Sequence, residues 1–156
     1  MKIYLANALF SEAEYLYNEI LIDDITTSGH EVYAPQRNLS INDKTKSANS
    51  KEIYQGDKFH LDQSDAIVAV LDGITIDPGV SAEIGYMAAL GKKIYGLYTD
   101  SRESSKTIID SKKELLEKPL ENQFAYVNLF VVGAIKENGK IFLSRTKLVD
   151  FLKQQK

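Results

Sequence analysis

Ala66-Ile67-Val68-Ala69-Val70-Leu71 is an unbroken run of six apolar residues, bounded by Asp65 and Asp72. A strand with one face in water alternates apolar and polar residues. This one does not, so it reads as a strand of a parallel sheet with both faces buried. Downstream, Asp72 to Pro78 reads as a loop, Gly79 to Leu90 as a helix stopped by Gly91, and Ile94 to Tyr98 as the next strand. Asp100 to Lys118 is polar and fits either a loop or a charged, exposed helix. Phe124 to Gly133 is apolar enough to lie in the core or against a partner subunit. Asn138-Gly139 marks a turn, Lys140 to Leu143 a last strand, and Ser144 the cap of a C-terminal helix carrying Leu148, Phe151 and Leu152.

Upstream, Lys51 to Gln63 fits a helix with Ile53 and Phe59 inward. Gln36 to Ser50 is rich in Asn, Ser, Asp and Lys and reads as a mobile surface loop. Val32 to Ala34 is a strand closed by Pro35. Ser11 and Glu14 form a capping box that opens a helix with Leu16, Ile20 and Ile25 on its buried face and Gly29 at its end. Ile3 to Ala6 is the first strand. Strands alternating with helices predict a five-stranded, doubly wound α/β fold, mainly parallel, with helices on both faces and a single domain over residues 1–156. Ligands of such sheets bind beyond the carboxyl ends of the strands, which directs attention to the loops after Ala6, Ala34 and Leu71.

The composition narrows the chemistry. With 156 residues, 44% hydrophobic and 26% charged, the chain can make its own core. A net charge of -3 leaves no basic footprint for nucleic acid. The absence of cysteine removes disulfides, thiolate metal sites and cysteine nucleophiles, and His30 and His60 are too few for most zinc or triad chemistry. No apolar run approaches the roughly 20 residues of a membrane span. The start, Met1-Lys2-Ile3-Tyr4-Leu5, enters a strand pattern without a signal-peptide stretch, so a cytoplasmic protein without a membrane partner is expected.

Known motifs fail in turn. No Gly-x-Gly-x-x-Gly follows the first strand, and Gly91-Lys92-Lys93 lacks the rest of a phosphate-binding loop. Gly79-Val80-Ser81-Ala82-Glu83 lacks the final glycine of a nucleophile elbow, and both histidines precede Ser81 where a hydrolase triad needs one after it. His30 reads as exposed beside Gly29, and His60 as a helix-surface residue.

What remains is carboxylates. Asp77 and Glu83 lie between the buried strand and the following helix, at the ligand end of the sheet, and Asp57 comes from the preceding helix. Taken singly, each has a plain alternative. Glu83 reads equally as a helix-terminal acid, Asp77-Pro78-Gly79 as a turn, and Asp57 as a solvated residue.

Read together, the segments resemble a known family. Lys2 to Phe10, the string Asp77-x-Gly79-x-x-x-Glu83-x-Gly85-Tyr86, and Tyr126-Val127-Asn128-Leu129-Phe130 are similar, in that order, to the nucleoside 2-deoxyribosyltransferases. The resemblance implies Glu83 as nucleophile, Tyr4 as its hydrogen-bond partner, and Asp57 as the acid that serves the base. It further implies that Asp77 holds the sugar hydroxyls, Phe10 lines the base pocket and Gln36 contacts the base. Asn128 would reach the sugar 5′-hydroxyl across a subunit interface, hence a homo-oligomer, dimer or hexamer, with shared sites. The implied substrates are a 2′-deoxynucleoside and a free nucleobase, with no cofactor and no metal. Two positions depart from the pattern. Asn7-Ala8 stands where relatives often carry Gly-Pro, with Asn the next best residue for a left-handed turn, and the chain ends in a lysine- and glutamine-rich helix where some relatives use a C-terminal carboxylate, so that role is not carried over.

The chemistry agrees with the residue types. Base exchange passes through an oxocarbenium-like state, which a carboxylate beneath the anomeric carbon traps as an ester, as in retaining glycosidases. The helix terminus and Tyr4 would favour ionised Glu83, while Asp57 and Asp77 oppose it. Two rivals stand beside this reading. One is an N-glycoside hydrolase of nucleosides or nucleoside 5′-monophosphates, against which Ala6-Asn7-Ala8 counts because it lacks a Gly-Ser phosphate cradle. The other is a non-catalytic nucleotide-sensing module.

Overall fold

In the computed structural model, which describes residues 1–42, 45, 47–101, 120 and 127–155, each expected strand forms to within one residue at either end. The strands are β1 (Lys2–Ala6), β2 (Glu31–Tyr33), β3 (Ala66–Val70), β4 (Lys93–Leu97) and β5 (Gly139–Phe142). They make a five-stranded sheet in the order β2-β1-β3-β4-β5, and every pairing is parallel. This is a doubly wound order whose direction reverses between β1 and β3, where a crevice opens at the carboxyl ends. The helices are α1 (Glu12–Thr27), α2 (Leu39–Asn42), α3 (Ser50–Gln63), α4 (Pro78–Ala89), α5 (Leu129–Asn138) and α6 (Arg145–Lys153). None of them is long and apolar enough to cross a membrane.

Strand residues alternate between two cores. Tyr4, Ala6, Ile67, Ala69 and Ile94 face Leu61 of α3, Val80, Ile84 and Met87 of α4, and Val132 and Ile135 of α5. Ile3, Leu5, Val68, Val70 and Leu97 face Leu21, Ile22 and Ile25 of α1 and Leu148 and Leu152 of α6. Local chemistry fixes the helix starts. Ser11 and Glu14 make the capping box of α1, and Asn49, Asp77, Asn128 and Ser144 each accept backbone N–H bonds at the head of a helix.

Several expectations are corrected. The buried stripe of α1 is Asn18, Leu21, Ile22 and Ile25, and Leu16, 67% exposed, and Ile20 lie outside it. Apolar residues occupy both sides of this helix, so spacing alone could not choose the inward one. On α3, Phe59 is 59% exposed because the inward stripe runs through Ile53, Asp57, His60 and Leu61. The supposed loop from Gln36 is partly helical, with a 3-10 turn at Pro35–Arg37 followed by α2. His30 is buried, with Nε2 2.8 Å from the Leu152 carbonyl oxygen, where α1 leads into β2 beneath α6. Asn138-Gly139 is not a hairpin turn, since α5 passes directly into β5 and Gly139 pairs with Ile94. The polar stretch at 102–119 and the start of the apolar run, at 124–126, lie outside the described residues.

Candidate active site

The site is assembled from β1, β2, α3 and α4 on one face of the sheet. Asp72 accepts from the Thr99 amide and hydroxyl, both at 2.5 Å, which fixes the path of the chain as it leaves β3. Asp77 then turns the chain into α4 by accepting from the Val80 amide at 3.0 Å, with Pro78 in the first helical turn. Asp77, which taken singly reads as part of a turn, thus caps the helix through one of its oxygens. Val80, Ile84 and Met87 bury one stripe of α4, and Glu83 sits beside that stripe rather than at the helix mouth. It lies beyond the first turn, where the helix dipole has largely died away, so the expected terminal charge effect is not what governs it.

Glu83 is governed by Tyr4 and by burial. The Tyr4 ring is wholly buried in β1, and its hydroxyl donates to Glu83 Oε1 at 2.5 Å. Burial pushes the Glu83 carboxyl up to about 7; the Tyr4 hydrogen bond lowers it, and the charges of Asp57 and Asp77 raise it further. Asp57 is also raised by burial, opposed by hydrogen bonds from Tyr33 and Tyr4. Tyr4 is held far above the usual phenol range by burial, then by Glu83 and Asp57. The phenol of Tyr33 is pushed up to about 12, chiefly by burial.

Of the sequence-derived candidates, the fold thus brings together Tyr4, Asp57, Asp77 and Glu83 in one electrostatically linked cluster. Three others lie apart from it. Phe10, in the loop after β1, is 74% exposed. Asn128 caps α5, accepting from the Phe130 amide at 2.9 Å, at the end of α5 that lies over the carboxyl ends of the strands. Beside it Phe130 is 84% exposed.

Gln36, 5% exposed, spends both ends of its amide inside the protein. Its Oε1 accepts from Asn18 Nδ2 at 2.8 Å and its Nε2 donates to Glu19 Oε1 at 2.5 Å. Asn18 in turn holds Asn7 and the Ala8 carbonyl, so Gln36 supports the loop after β1 from beneath. The Ala8 amide is taken by Asn7 Oδ1 at 2.9 Å.

One residue near the cluster, Tyr33, escaped the sequence reading. Tyr33 pairs with Tyr4 across β1 and β2, and their rings lie 5.3 Å apart. Its hydroxyl reaches Asp57 Oδ1 at 3.4 Å and accepts from Asn38 Nδ2 at 3.0 Å. The available signal was register: Tyr33 is the parallel-sheet neighbour of Tyr4 and points to the same face. A cavity of about 350 Å³ lies on the β2 side, lined in part by Tyr33, Arg37, Asn38 and His60. Among the described residues no group of three or more His, Asp or Glu could hold a metal ion. Two half-buried carboxyls bridged by a tyrosine can divide the roles of anionic nucleophile and proton donor.

Comparison with known proteins shows the fold and the family. A solved conserved protein from Enterococcus faecalis is 42% identical, with 100% of this chain and 99% of that one covered and a TM-score of 0.84. A 2-deoxyribosyltransferase from the psychrotolerant bacterium Bacillus psychrosaccharolyticus shares the fold at 19% identity, covering 96% of this chain and 91% of that one, with a TM-score of 0.66. So does a CMP N-glycosidase from Clostridium botulinum, at 19% identity, 99% of each chain and a TM-score of 0.55. The family model described as nucleoside 2-deoxyribosyltransferase matches residues 3–138, which include β1 with Tyr4, the helix with Asp57 and the Asp77 to Glu83 string. The chain therefore belongs to the nucleoside 2-deoxyribosyltransferase family.

Proposed function

We propose that the protein exchanges the base of 2′-deoxynucleosides by double displacement, with Glu83 as the nucleophile. The observation that carries the reading is the contact of Tyr4 Oη with Glu83 Oε1 at 2.5 Å beside a second, half-buried acid, Asp57. A carboxylate oxygen of Glu83 bonds to C1′ as the C1′–N bond breaks. The bonding pair leaves with the base, and the proton of Asp57 passes to the base nitrogen. An incoming base then attacks C1′, returns its N–H proton to Asp57, and releases Glu83 as a carboxylate.

The reactive form has one proton on the two carboxyls, resident on Asp57. A tyrosine hydroxyl has one proton to give. Tyr4 gives that proton to Glu83 Oε1, which favours the anion on Glu83. Asp77 keeps one oxygen on the α4 cap and offers the other to the sugar hydroxyls, while Phe10 borders the base. Gln36 acts on the base through the loop after β1, which its hydrogen bonds support. Asn128 serves the site of a second copy, a role supported by its exposed position next to Leu129 and Phe130. The oligomer is a dimer or hexamer, and Phe130→Asp should dissociate it in light scattering.

The test is intact-protein mass spectrometry after incubation with a 2′-deoxynucleoside alone. A deoxyribosyl adduct that maps to Glu83 and vanishes when a free base is added is expected. Full base exchange by Glu83→Ala would end the proposal. Release of free base without an acceptor would instead identify hydrolysis. Against a monophosphate substrate for that reaction stands the Ala8 amide, which is turned onto Asn7 and away from any phosphate.

A further inference from the structure

The hydroxyl of Tyr33 has its direction dictated by a chain of donors that begins in α2. Ser40 donates to Asn38 Oδ1 from its hydroxyl and from its backbone N–H. The Asn38 carboxamide is thereby oriented with oxygen toward Ser40, so its nitrogen is the group that faces Tyr33. That nitrogen donates to Tyr33 Oη at 3.0 Å. Among the described residues, the single phenolic proton of Tyr33 then has Asp57 Oδ1, 3.4 Å away, as its acceptor. A carboxylic acid that accepts a hydrogen bond at one oxygen carries its own proton on the other.

We propose that Tyr33, oriented by Asn38 and Ser40, is a positioning residue for Asp57: it occupies Oδ1 with a donated hydrogen bond and so assigns the transferable proton to Oδ2. The inference rests on the proposed role of Asp57 as the acid for the departing base. The loop after β2 thereby acquires a part in the reaction without touching the substrate. At 3.4 Å the Tyr33 contact is long for an O–H···O bond. Catalytic hydrogen bonds of unliganded sites commonly tighten when substrate arrives, and the step at which Asp57 becomes an anion is the one that would shorten it most.

Among the described residues, three neighbouring elements present groups to Asp57. From β1 comes Tyr4, from β2 Tyr33, and from α4 Glu83, which feels the Asp57 charge. On α3 itself, His60 stacks on the Tyr33 ring with centroids 3.6 Å apart, and burial, then the charge of Lys2, disfavours its protonation. The stack fixes the plane of the phenol, so Tyr33→Phe removes the hydroxyl while leaving the ring in place.

The experiment has two readouts on wild type, Tyr33→Phe and Asn38→Ala. The first is the titration of Asp57 in ligand-free protein carrying 13C at aspartate side-chain carboxyls, the resonance being assigned with Asp57→Asn. Loss of a donor disfavours the anion, so Tyr33→Phe should move the Asp57 titration upward by about one pH unit. Asn38→Ala should move it less, in the same direction. The second readout is kcat for base exchange, expected to fall about tenfold in Tyr33→Phe with the larger loss for poorly departing bases, at unchanged KM and melting temperature. An unmoved titration in an active, folded Tyr33→Phe protein overturns the proposal and leaves the reaction standing. A moved titration in a protein whose wild type exchanges no base supports the positioning of Asp57 and refutes the reaction.

Discussion

Tyr4 Oη donates to Glu83 Oε1 at 2.5 Å from a ring with no exposed surface, so a strand residue holds a helix residue 79 positions away in one geometry. That contact lowers the Glu83 carboxyl against the stronger upward push of burial. In Tyr4→Phe the opposing force is gone. Glu83 should then ionise above about 7, and kcat/KM at neutral pH should drop about ten- to a hundredfold. The rising limb of the pH–rate profile checks this; a limb that stays in place would show that Tyr4 does not govern the ionisation.

Burial of Glu83 also has a stability consequence with a definite sign. Its folded pKa, about 7, lies above the ordinary glutamate value of 4.5, so the native state holds the proton more tightly than the unfolded chain. Stability from this group is full below about 4.5 and is lost as pH rises through about 7, by at most about 3 kcal/mol. Glu83→Gln escapes the loss. Its melting temperature should exceed that of wild type at pH 8 and approach it at pH 5, and an equal difference at both would contradict the assignment.

Asp57 should reveal its role through the leaving group. Asp57→Ala is expected to slow exchange of poorly departing bases about a hundredfold or more and to spare readily departing ones. Steady-state rates across a series of bases measure the slope, and a uniform loss would assign Asp57 to binding instead.

Two glycines make a matched pair for stability. A Cβ added to Gly139 would stand 1.9 Å from the Ile94 carbonyl oxygen, at the point where α5 gives way directly to β5. Gly139→Ala should cost ~3 kcal/mol. Gly133, within α5, has nothing among the described residues within 4 Å of such a carbon, and Gly133→Ala should gain about 0.5–1 kcal/mol. Urea denaturation separates the two.

The sequence carried the sheet further than it carried the site. Ala66 to Leu71 announced a two-sided burial because no polar residue interrupts it, and the Ser11–Glu14 box announced a helix start because capping is local. The inward faces of α1 and α3 were misread where apolar residues lie on both sides, as Leu16 and Phe59 do. Asp57 was undervalued for the same reason: it shares the inward stripe with Leu61, a carboxyl among buried neighbours. Tyr33 and the Asn18–Gln36 network depend on register and long-range hydrogen bonds, which no local pattern encodes.

At the amino ends of the strands, Lys92 Nζ bonds the carbonyl oxygens of Leu61, Asp62 and Ser64 at 2.7–2.9 Å, and Tyr86 Oη donates to Asp62 Oδ1 at 2.6 Å. Lys92 closely follows α4, and the carbonyls end α3, so the helices bearing Glu83 and Asp57 are riveted together at their far ends. They behave as the arms of a pair of tongs. The spacing of Glu83 and Asp57 depends on that rivet, and a change at Lys92, at the opposite ends of both helices, would alter the bite.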